Sequence, residues 1–325
     1  MSKRILTLGL ILGILLMCAL PPLVSLFAAK PASDADLTIR LRRETTGEVL
    51  EMEFPDYLAG CVAACLDFSR DYPKQALLAI AVADQGKLLS ICGRCEHAAR
   101  ENVDFCDDPE HGSAYLGRSE AEELYGKDRA DAVYEQIDGA VREILGLGVC
   151  YGGELALTLM HESSYLLTED ASSICDTEIP YLRSVRTYEE PPTHQIETPK
   201  SVASLLMQVA FGTENAAPEI VSRTPAGRVE RIRLGELTVS GEQFAAALML
   251  PSTDFTVEES EESYLFTVRG SGSGVGLSRM GAVVLAEQGY EFDQILAAYY
   301  PGTELLPIDT VALLARGRAL RSAGE

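Results

Sequence analysis

Residues 270–282 read GSGSGVGLSRMGA, and they connect a predicted strand, Tyr264–Arg269, to a predicted helix at 277–288. Glycine occupies four of the first seven positions, so the backbone must turn sharply here or approach another group closely. A dinucleotide site would need a βαβ unit with an acidic residue about twenty positions on, and an ATP-type loop would need a lysine before the serine. Neither is present. The segment therefore predicts either a loop whose amides and serines line a polar cleft or a tight strand-to-helix turn.

Outward from this loop, helices and hairpins are interspersed along the chain. Leu37–Leu41 and Val49–Phe54 alternate in polarity around a glycine turn, which predicts an opening hairpin. A helix is predicted from Pro73 to Leu89, with Asp71 as its cap. The other predicted helices span 119–146, 198–211, 240–250, 277–288 and 292–300, and the other predicted strands span 149–151, 154–160, 229–234, 237–239 and 264–269. This order favours an α+β fold, one elaborated domain of hairpins and helices, over a doubly wound α/β fold.

The composition excludes several classes of protein. With 325 residues, 47% of them hydrophobic, the chain is long enough to bury a core, which excludes disorder and fibrous repeats. Its 27 basic and 49 acidic residues give a net charge of -22, which would repel a phosphate backbone and excludes nucleic acid as a partner. Residues 31–308 are expected to form the α+β domain, with a subdomain boundary near the proline-containing stretch 189–200, and residues 309–325 a C-terminal tail.

The first thirty residues differ from the rest of the chain. Lys3 and Arg4 precede an uncharged run, residues 5–29, that is long enough to span a bilayer as a helix. Because positive residues stay on the cytoplasmic side, the body of the protein is expected outside the cytoplasm. Residues 1–30 are therefore predicted to be a single-pass anchor in the cell membrane. The alternative is a signal peptide cleaved near Ala28 and Ala29, which would release a secreted protein.

A cysteine- and histidine-rich segment, residues 90–117, follows neither the helical nor the strand period. Its spacing suits one tetrahedral zinc ion, and the absence of an HExxH motif makes such a site structural rather than catalytic. A disulfide between Cys92 or Cys95 and Cys106 is the alternative that an oxidising exterior favours, and unmodified thiols are a third. The predicted zinc ligands are Cys92, Cys95, His97, Cys106 and His111.

Two further segments contain reactive residue types. Residues 160–170, MHESSYLLTED, place His161 beside two serines at a strand end, but no GxSxG elbow surrounds them, so a polar cleft is favoured over a serine hydrolase. Cys61 and Cys65 are four residues apart and could share one helix face, where small buried apolar residues are the default interpretation.

Together these segments resemble the stage II sporulation protein D and amidase-enhancer family, whose members act on peptidoglycan outside the cytoplasm. The resemblance covers about Leu37 to Leu305, and the block from Gly270 onward is the most specific. Zinc-binding members resemble the Cys106–His111 spacing, although their cysteine after the histidine is Gly112 here. The segments that carry the resemblance are YLAGCVAACLDFSRDYPKQALLAIAVA (57–83), HGSAYLG (111–117), LALTLMHESSYLLTED (155–170), IPYLRSV (179–185), TPAGRVERIRL (224–234) and GSGSGVGLSRMGAVVLAEQGYEFDQILAAYYPGTEL (270–305).

The departures from the family pattern fall at its functional positions. Members that resemble lytic transglycosylases carry a glutamate where this chain has Cys65. The family's histidine in the glycine loop corresponds to Ser273, and its paired glycines after the strand-end serines correspond to Tyr165 and Leu166. These substitutions predict weak or no catalytic activity, because they alter the acid and its surroundings.

The resemblance implies peptidoglycan glycan strands as the ligand and a cell-wall amidase of the sporulation machinery as a partner. A transglycosylase acid must protonate the glycosidic oxygen and then accept a proton, and a thiol with a pKa of about 8.5 does this poorly. We therefore expect a glycan-binding scaffold with weak or no cleavage of its own; the alternative is an active lytic transglycosylase whose acid is Asp67 or Glu162. The predicted sugar-site residues are Ser163, Ser164, Thr168, Glu169, Gly272, Ser273, Gly274, Gly276 and Ser278.

Overall fold

The computed structural model describes residues 37–95, 97–108, 112–174, 178–213 and 217–323. Within these ranges, no helix combines the length and the apolar character needed to cross a bilayer. The transmembrane segment predicted at 1–30 lies outside the described residues and stays a prediction. The described part mixes helices with several small sheets, which confirms the α+β class.

The chain opens with the predicted hairpin. Strands β1 (Thr38–Arg42) and β2 (Val49–Glu53) pair antiparallel, and the two-residue strand β3 (Phe105–Cys106) adds in parallel to β1. Alternating residues of β1 are buried, because Ile39 and Leu41 face the core. A short helix, α3 (Ala98–Glu101), precedes β3.

A helical layer packs beneath this hairpin, with helix α2 (Lys74–Ile91) at its centre. Small and aliphatic residues occur on every face of α2, which explains why the helix is buried almost all round. Its cap is Pro73 rather than the predicted Asp71. Helices α1 (Phe54–Ala64) and α5 (Lys127–Ile144) contact it.

The helix predicted at 119–146 is interrupted at Gly126. This glycine has a φ of 83°, a left-handed value that an ordinary helix residue does not adopt, and it separates α4 (Arg118–Tyr125) from α5. The helix begins one residue earlier than predicted, at Arg118, and its cap is Gly117, whose backbone N–H donates to the Glu120 side chain at 2.8 Å.

Two small sheets connect the helical layer to the glycine-rich loop. Strand β4 (Leu147–Tyr151) lies between β5 (Glu154–Leu155) and β14 (Glu304–Pro307). Strand β6 (Met160–His161) pairs in parallel with β13 (Leu277–Ser278), which joins the two most informative segments of the sequence.

A second hydrophobic core is built from the chain between residues 193 and 269. Phe244, Phe255 and Phe266 are fully buried within it and contact one another as aromatic rings. Its first buried residue, Ala203, follows directly on the boundary predicted at 189–200, which stays a prediction. The elements of this part are β7 (Thr193–Pro199), α6 (Lys200–Phe211), β8 (Pro218–Arg223), β9 (Val229–Leu234), β10 (Leu237–Ser240), α7 (Gly241–Ala247), β11 (Phe255–Glu259) and β12 (Ser263–Arg269).

Three C-terminal helices return to α2: α8 (Arg279–Glu287), α9 (Phe292–Tyr299) and α10 (Thr310–Ala323). Helix α10 occupies most of the segment 309–325 that the sequence separates as a tail. Its Leu314 is fully buried, and its Arg318 and Arg321 form ion pairs with the buried Asp104 at 3.0 and 3.2 Å.

Candidate functional site

The glycine loop and the segment 160–170 lie side by side. Beyond the β6–β13 pair, isolated bridges join Ser163 to Ser271 and Glu169 to Val275. Gly276 has a φ of 75°, and a side chain on it would collide with the carbonyl of Leu159. The glycines are therefore needed for close approach of two backbones, which favours the close-approach interpretation of this loop.

His161, Ser164 and Arg228 form a buried hydrogen-bonded trio behind the loop. His161 Nδ1 lies 3.2 Å from the Val275 carbonyl, so Nδ1 carries the proton and Nε2 accepts from Ser164 Oγ at 2.7 Å. Arg228 Nη2 donates to the same serine oxygen at 2.9 Å. Burial, reinforced by the Arg228 charge, lowers the pKa of His161 to about 3, so the imidazole is neutral. Ser164 is 0% exposed, so its hydroxyl stabilises the local structure and is not accessible as a nucleophile.

Glu189 accepts hydrogen bonds from the same region, a role that the sequence did not reveal. Its carboxylate accepts from the Ser164 backbone N–H at 2.9 Å, from the Tyr188 N–H at 3.1 Å, and from the hydroxyls of Ser278 and Thr187. Ser278 also accepts from the Gly281 N–H as the cap of α8. These polar atoms already form hydrogen bonds within the protein, so they stabilise the fold rather than bind a ligand.

Most of the predicted sugar-site residues are therefore enclosed. Glu169, for example, accepts from the Thr224 hydroxyl at 2.7 Å and is 3% exposed. Gly272 and Ser273 are the exposed members of the predicted set. The enclosed members are Ser163, Ser164, Thr168, Glu169, Gly274, Gly276 and Ser278.

Cys65, for which the resemblance predicts the family's acid position, caps the C-terminus of α1 and is partly exposed. It interacts electrostatically with Asp84, Glu162 and Arg279, and we call these four residues the Cys65 cluster. Burial, reinforced by Asp84, raises the pKa of the Cys65 thiol to about 11. The thiol therefore stays protonated and is a weak proton donor.

The two predicted substitute acids are engaged elsewhere. Glu162 Oε2 accepts from Arg279 Nε at 3.0 Å and Nη2 at 2.6 Å, so its carboxylate is committed to an ion pair within the cluster. Asp67 accepts from the Ser69 hydroxyl and backbone N–H, and the hydroxyl contact in particular lowers the pKa of Asp67. Those contacts favour the ionised form, whereas a general acid must be protonated.

Asp84 is a third carboxyl in this region, and sequence reasoning missed it. It lies on α2, is 1% exposed, and neither of its carboxyl oxygens has a hydrogen-bond partner among the described residues. Burial raises the pKa of Asp84 to about 6, although Lys87 and Arg279 oppose the shift. A single acidic residue in a helix rich in apolar residues on every face is the signal that could have revealed it.

The structure brings together only part of the predicted zinc site. A side-chain hydrogen bond joins the thiols of Cys95 and Cys106, and it lowers the pKa of Cys95. His97 instead contacts Glu44 at 3.2 Å and Glu101 at 3.4 Å, and Cys92 packs against Gly317 of α10. His111 lies outside the described residues, and among the described ones no three potential ligands converge. Zinc stays a prediction.

The described cysteines also bear on the disulfide alternative. Cys61, Cys65, Cys92, Cys95, Cys106 and Cys150 are all thiols. The proximity of Cys95 and Cys106 fits either metal coordination or oxidation, because both need two sulfur atoms close together.

Comparison with known proteins finds that the chain is similar to sporulation proteins. Residues 42–151 match the family model described as Stage II sporulation protein. The chain is 24% identical to stage II sporulation protein D of Bacillus subtilis (strain 168) over 293 residues, covering 87% of this chain and 84% of that protein. It is 24% identical to the protein of the same name from Bacillus amyloliquefaciens over 283 residues, covering 85% and 81%.

A shorter similarity joins the chain to a second kind of protein. The amidase enhancer of Bacillus subtilis (strain 168) is 41% identical over 59 residues, which cover 18% of this chain and 8% of the enhancer. The family resemblance predicted from the sequence motifs is confirmed by these comparisons.

Proposed function

We propose that this chain has a sporulation role connected with the cell wall, in which it binds peptidoglycan glycan strands and supports a cell-wall amidase, with weak or no glycan cleavage of its own. Its similarity to stage II sporulation protein D and to an amidase enhancer supports this proposal. The observation that carries the proposal is the Cys65 cluster. A thiol with a pKa of about 11 stands where the family has its acid.

The missing acid argues against efficient cleavage. A leaving glycosidic oxygen needs a donor whose pKa lies near the working pH, and the Cys65 thiol is several units too weak. Glu162 is bound to Arg279, and the surroundings of Asp67 favour its ionised form. A fold can retain binding after its chemistry has been lost.

The extracytoplasmic location and the amidase partner are parts of the same proposal. An uncharged run at residues 5–29 supports membrane anchoring, and the 59-residue similarity to an amidase enhancer supports a role beside an amidase. A net charge of -22 would keep the body away from anionic lipid headgroups and leave it accessible to the wall.

The test uses the purified full chain on denuded glycan strands, with products analysed by mass, and a pull-down on sacculi. We expect the native protein to bind sacculi and to release little or no anhydromuramyl product. Cys65→Glu should give measurable release, because it restores a carboxyl at the acid position, while Cys65→Ala serves as the matched control. Robust release by the native protein that survives Cys65→Ala would refute the scaffold proposal.

A second candidate function, glycan cleavage by a relocated acid, is favoured by one observation. Asp84 interacts with Cys65 and holds a proton up to about pH 6, which suits a general acid. Its 1% exposure means that a sugar oxygen could reach it only if the Cys65 cluster opened. Cleavage that Asp84→Asn abolishes and Cys65→Ala does not would establish this second function.

A further inference from the structure

The turn Tyr165–Leu167 beside the glycine loop has a strained backbone. Leu166 has a φ of 64°, in the left-handed region that favours glycine. The turn is held by a hydrogen bond from the Leu167 N–H to the Tyr165 carbonyl at 2.7 Å and by one from the Thr187 N–H to the Leu166 carbonyl at 2.9 Å. Strain of this kind persists where the surroundings enforce it, and it concentrates at ligand-binding sites.

The strain does not serve to bury apolar surface. Leu166 is 59% exposed, Tyr165 is 38% exposed, and Tyr188, which follows the residue bonded to the turn, is 41% exposed. We call Tyr165, Leu166 and Tyr188 the tyrosine turn. Large exposed side chains beside a strained turn are typical of a surface that binds a ligand.

The Tyr165 ring is fixed in place. The Arg269 guanidinium carbon lies 4.4 Å from the ring centroid, and Arg269 is itself held by the buried Asp254 at 2.7 Å. One face of the ring is thus covered by the guanidinium, and the residue is still 38% exposed. A rigid aromatic ring loses little conformational entropy when it binds a ligand.

The tyrosine turn adjoins polar groups that suit a sugar. Arg269, whose side chain is 39% exposed, lies over the Tyr165 ring, and an isolated bridge joins Leu167 to the exposed Arg186. A pyranose ring has an apolar face of C–H groups and a rim of hydroxyl and amide groups. An aromatic ring next to guanidinium groups, which donate hydrogen bonds, offers a complement to both parts.

We propose that the tyrosine turn is a sugar-binding subsite, in which Tyr165 and Leu166 pack against the apolar face of one pyranose ring of a glycan strand. This proposal rests on the proposed glycan-binding function and deepens it. The tyrosine turn consists of three partly exposed side chains, an area that fits one or two sugar rings. This area is well below the surface of at least about 1,200 Å² that a stable protein interface buries.

The test compares Tyr165→Ala and Leu166→Gly with Leu205→Ala in the full chain. Leu205 is a matched control, since it is also 59% exposed but lies on α6 beside the second core. Binding to denuded glycan strands should weaken about three- to ten-fold in Tyr165→Ala. Leu166→Gly should also weaken binding while its melting temperature stays equal or rises, because glycine relieves the strain. Leu205→Ala should bind as the native protein does.

The outcomes separate the two proposals. If the native protein does not bind glycan strands, the proposed function fails and this subsite fails with it. If the native protein binds and both tyrosine-turn variants bind equally well, the subsite alone is refuted. Loss of amidase capture in Tyr165→Ala with unchanged glycan binding would also refute the subsite, because it would make the turn a protein-docking surface.

Discussion

Replacing Asp84 by asparagine should stabilise the protein at neutral and alkaline pH. Asp84 is 1% exposed, and in the described part of the chain neither of its carboxyl oxygens has a hydrogen-bond partner, so its ionised form is disfavoured. Asparagine has nearly the shape of the protonated carboxyl and cannot ionise. The substitution therefore removes the cost of a buried charge without leaving a cavity.

The size of the effect follows from the pKa of Asp84, which burial raises from 3.8 to about 6. Each unit of pKa difference corresponds to about 1.4 kcal/mol, so ionised Asp84 lowers the free energy of unfolding by roughly 3 kcal/mol. Because the folded-state pKa is the higher one, native and variant proteins should be equally stable below about pH 4. The advantage of Asp84→Asn should grow between pH 4 and pH 6 and level off above that.

The measurement is urea unfolding of both proteins at several values between pH 4 and pH 8. Asp104→Asn is the control, because Asp104 is buried in ion pairs with Arg318 and Arg321 and its loss should destabilise the fold at neutral pH. An Asp84→Asn advantage that is independent of pH, or a variant less stable than the native protein at pH 8, would refute the reasoning.

Two further predictions concern zinc and topology. If zinc organises residues 90–117, Cys106→Ala should lower both the zinc content, measured by elemental analysis, and the melting temperature. The control variant Cys150→Ala, on β4, should retain the metal. A metal-free native protein with Cys106 in a disulfide would show that the site is not a zinc site. Reporter fusions after residue 40 should be active only outside the cytoplasm, because Lys3 and Arg4 precede the uncharged run; activity confined to the cytoplasm would contradict this.

Local patterns predicted the elements that depend on neighbours in the sequence. The opening hairpin, the strand before the glycine loop and the helix after it follow from alternation, glycine spacing and apolar periodicity. The cap of α2 was misassigned because Asp71 and Pro73 both favour a helix start, and the structure uses Pro73. The break at Gly126 was missed because a single glycine is also tolerated inside a helix.

The site itself depended on tertiary contacts that no local pattern contains. Ser164 and Ser278 were predicted to contact a sugar, but Glu189, about ninety residues from one of them in sequence, accepts hydrogen bonds from both and helps to enclose them. Arg228 reaches Ser164 from the second core. Exposure at Tyr165 and Leu166 could not be inferred either, because the same residue types are usually buried.

Cys65 and Asp84 interact electrostatically, so the ionisation of a group at position 65 depends on whether Asp84 is charged. A carboxyl at position 65 would lie in one cluster with the carboxyls of Asp84 and Glu162, and neighbouring carboxylates disfavour each other's ionisation. A protonated thiol adds no charge, so it is compatible with Asp84. For the same reason, the carboxyl introduced by Cys65→Glu should have a raised pKa, as a general acid requires, and adding Asp84→Asn should lower it and move the pH limit of anhydromuramyl release to lower pH.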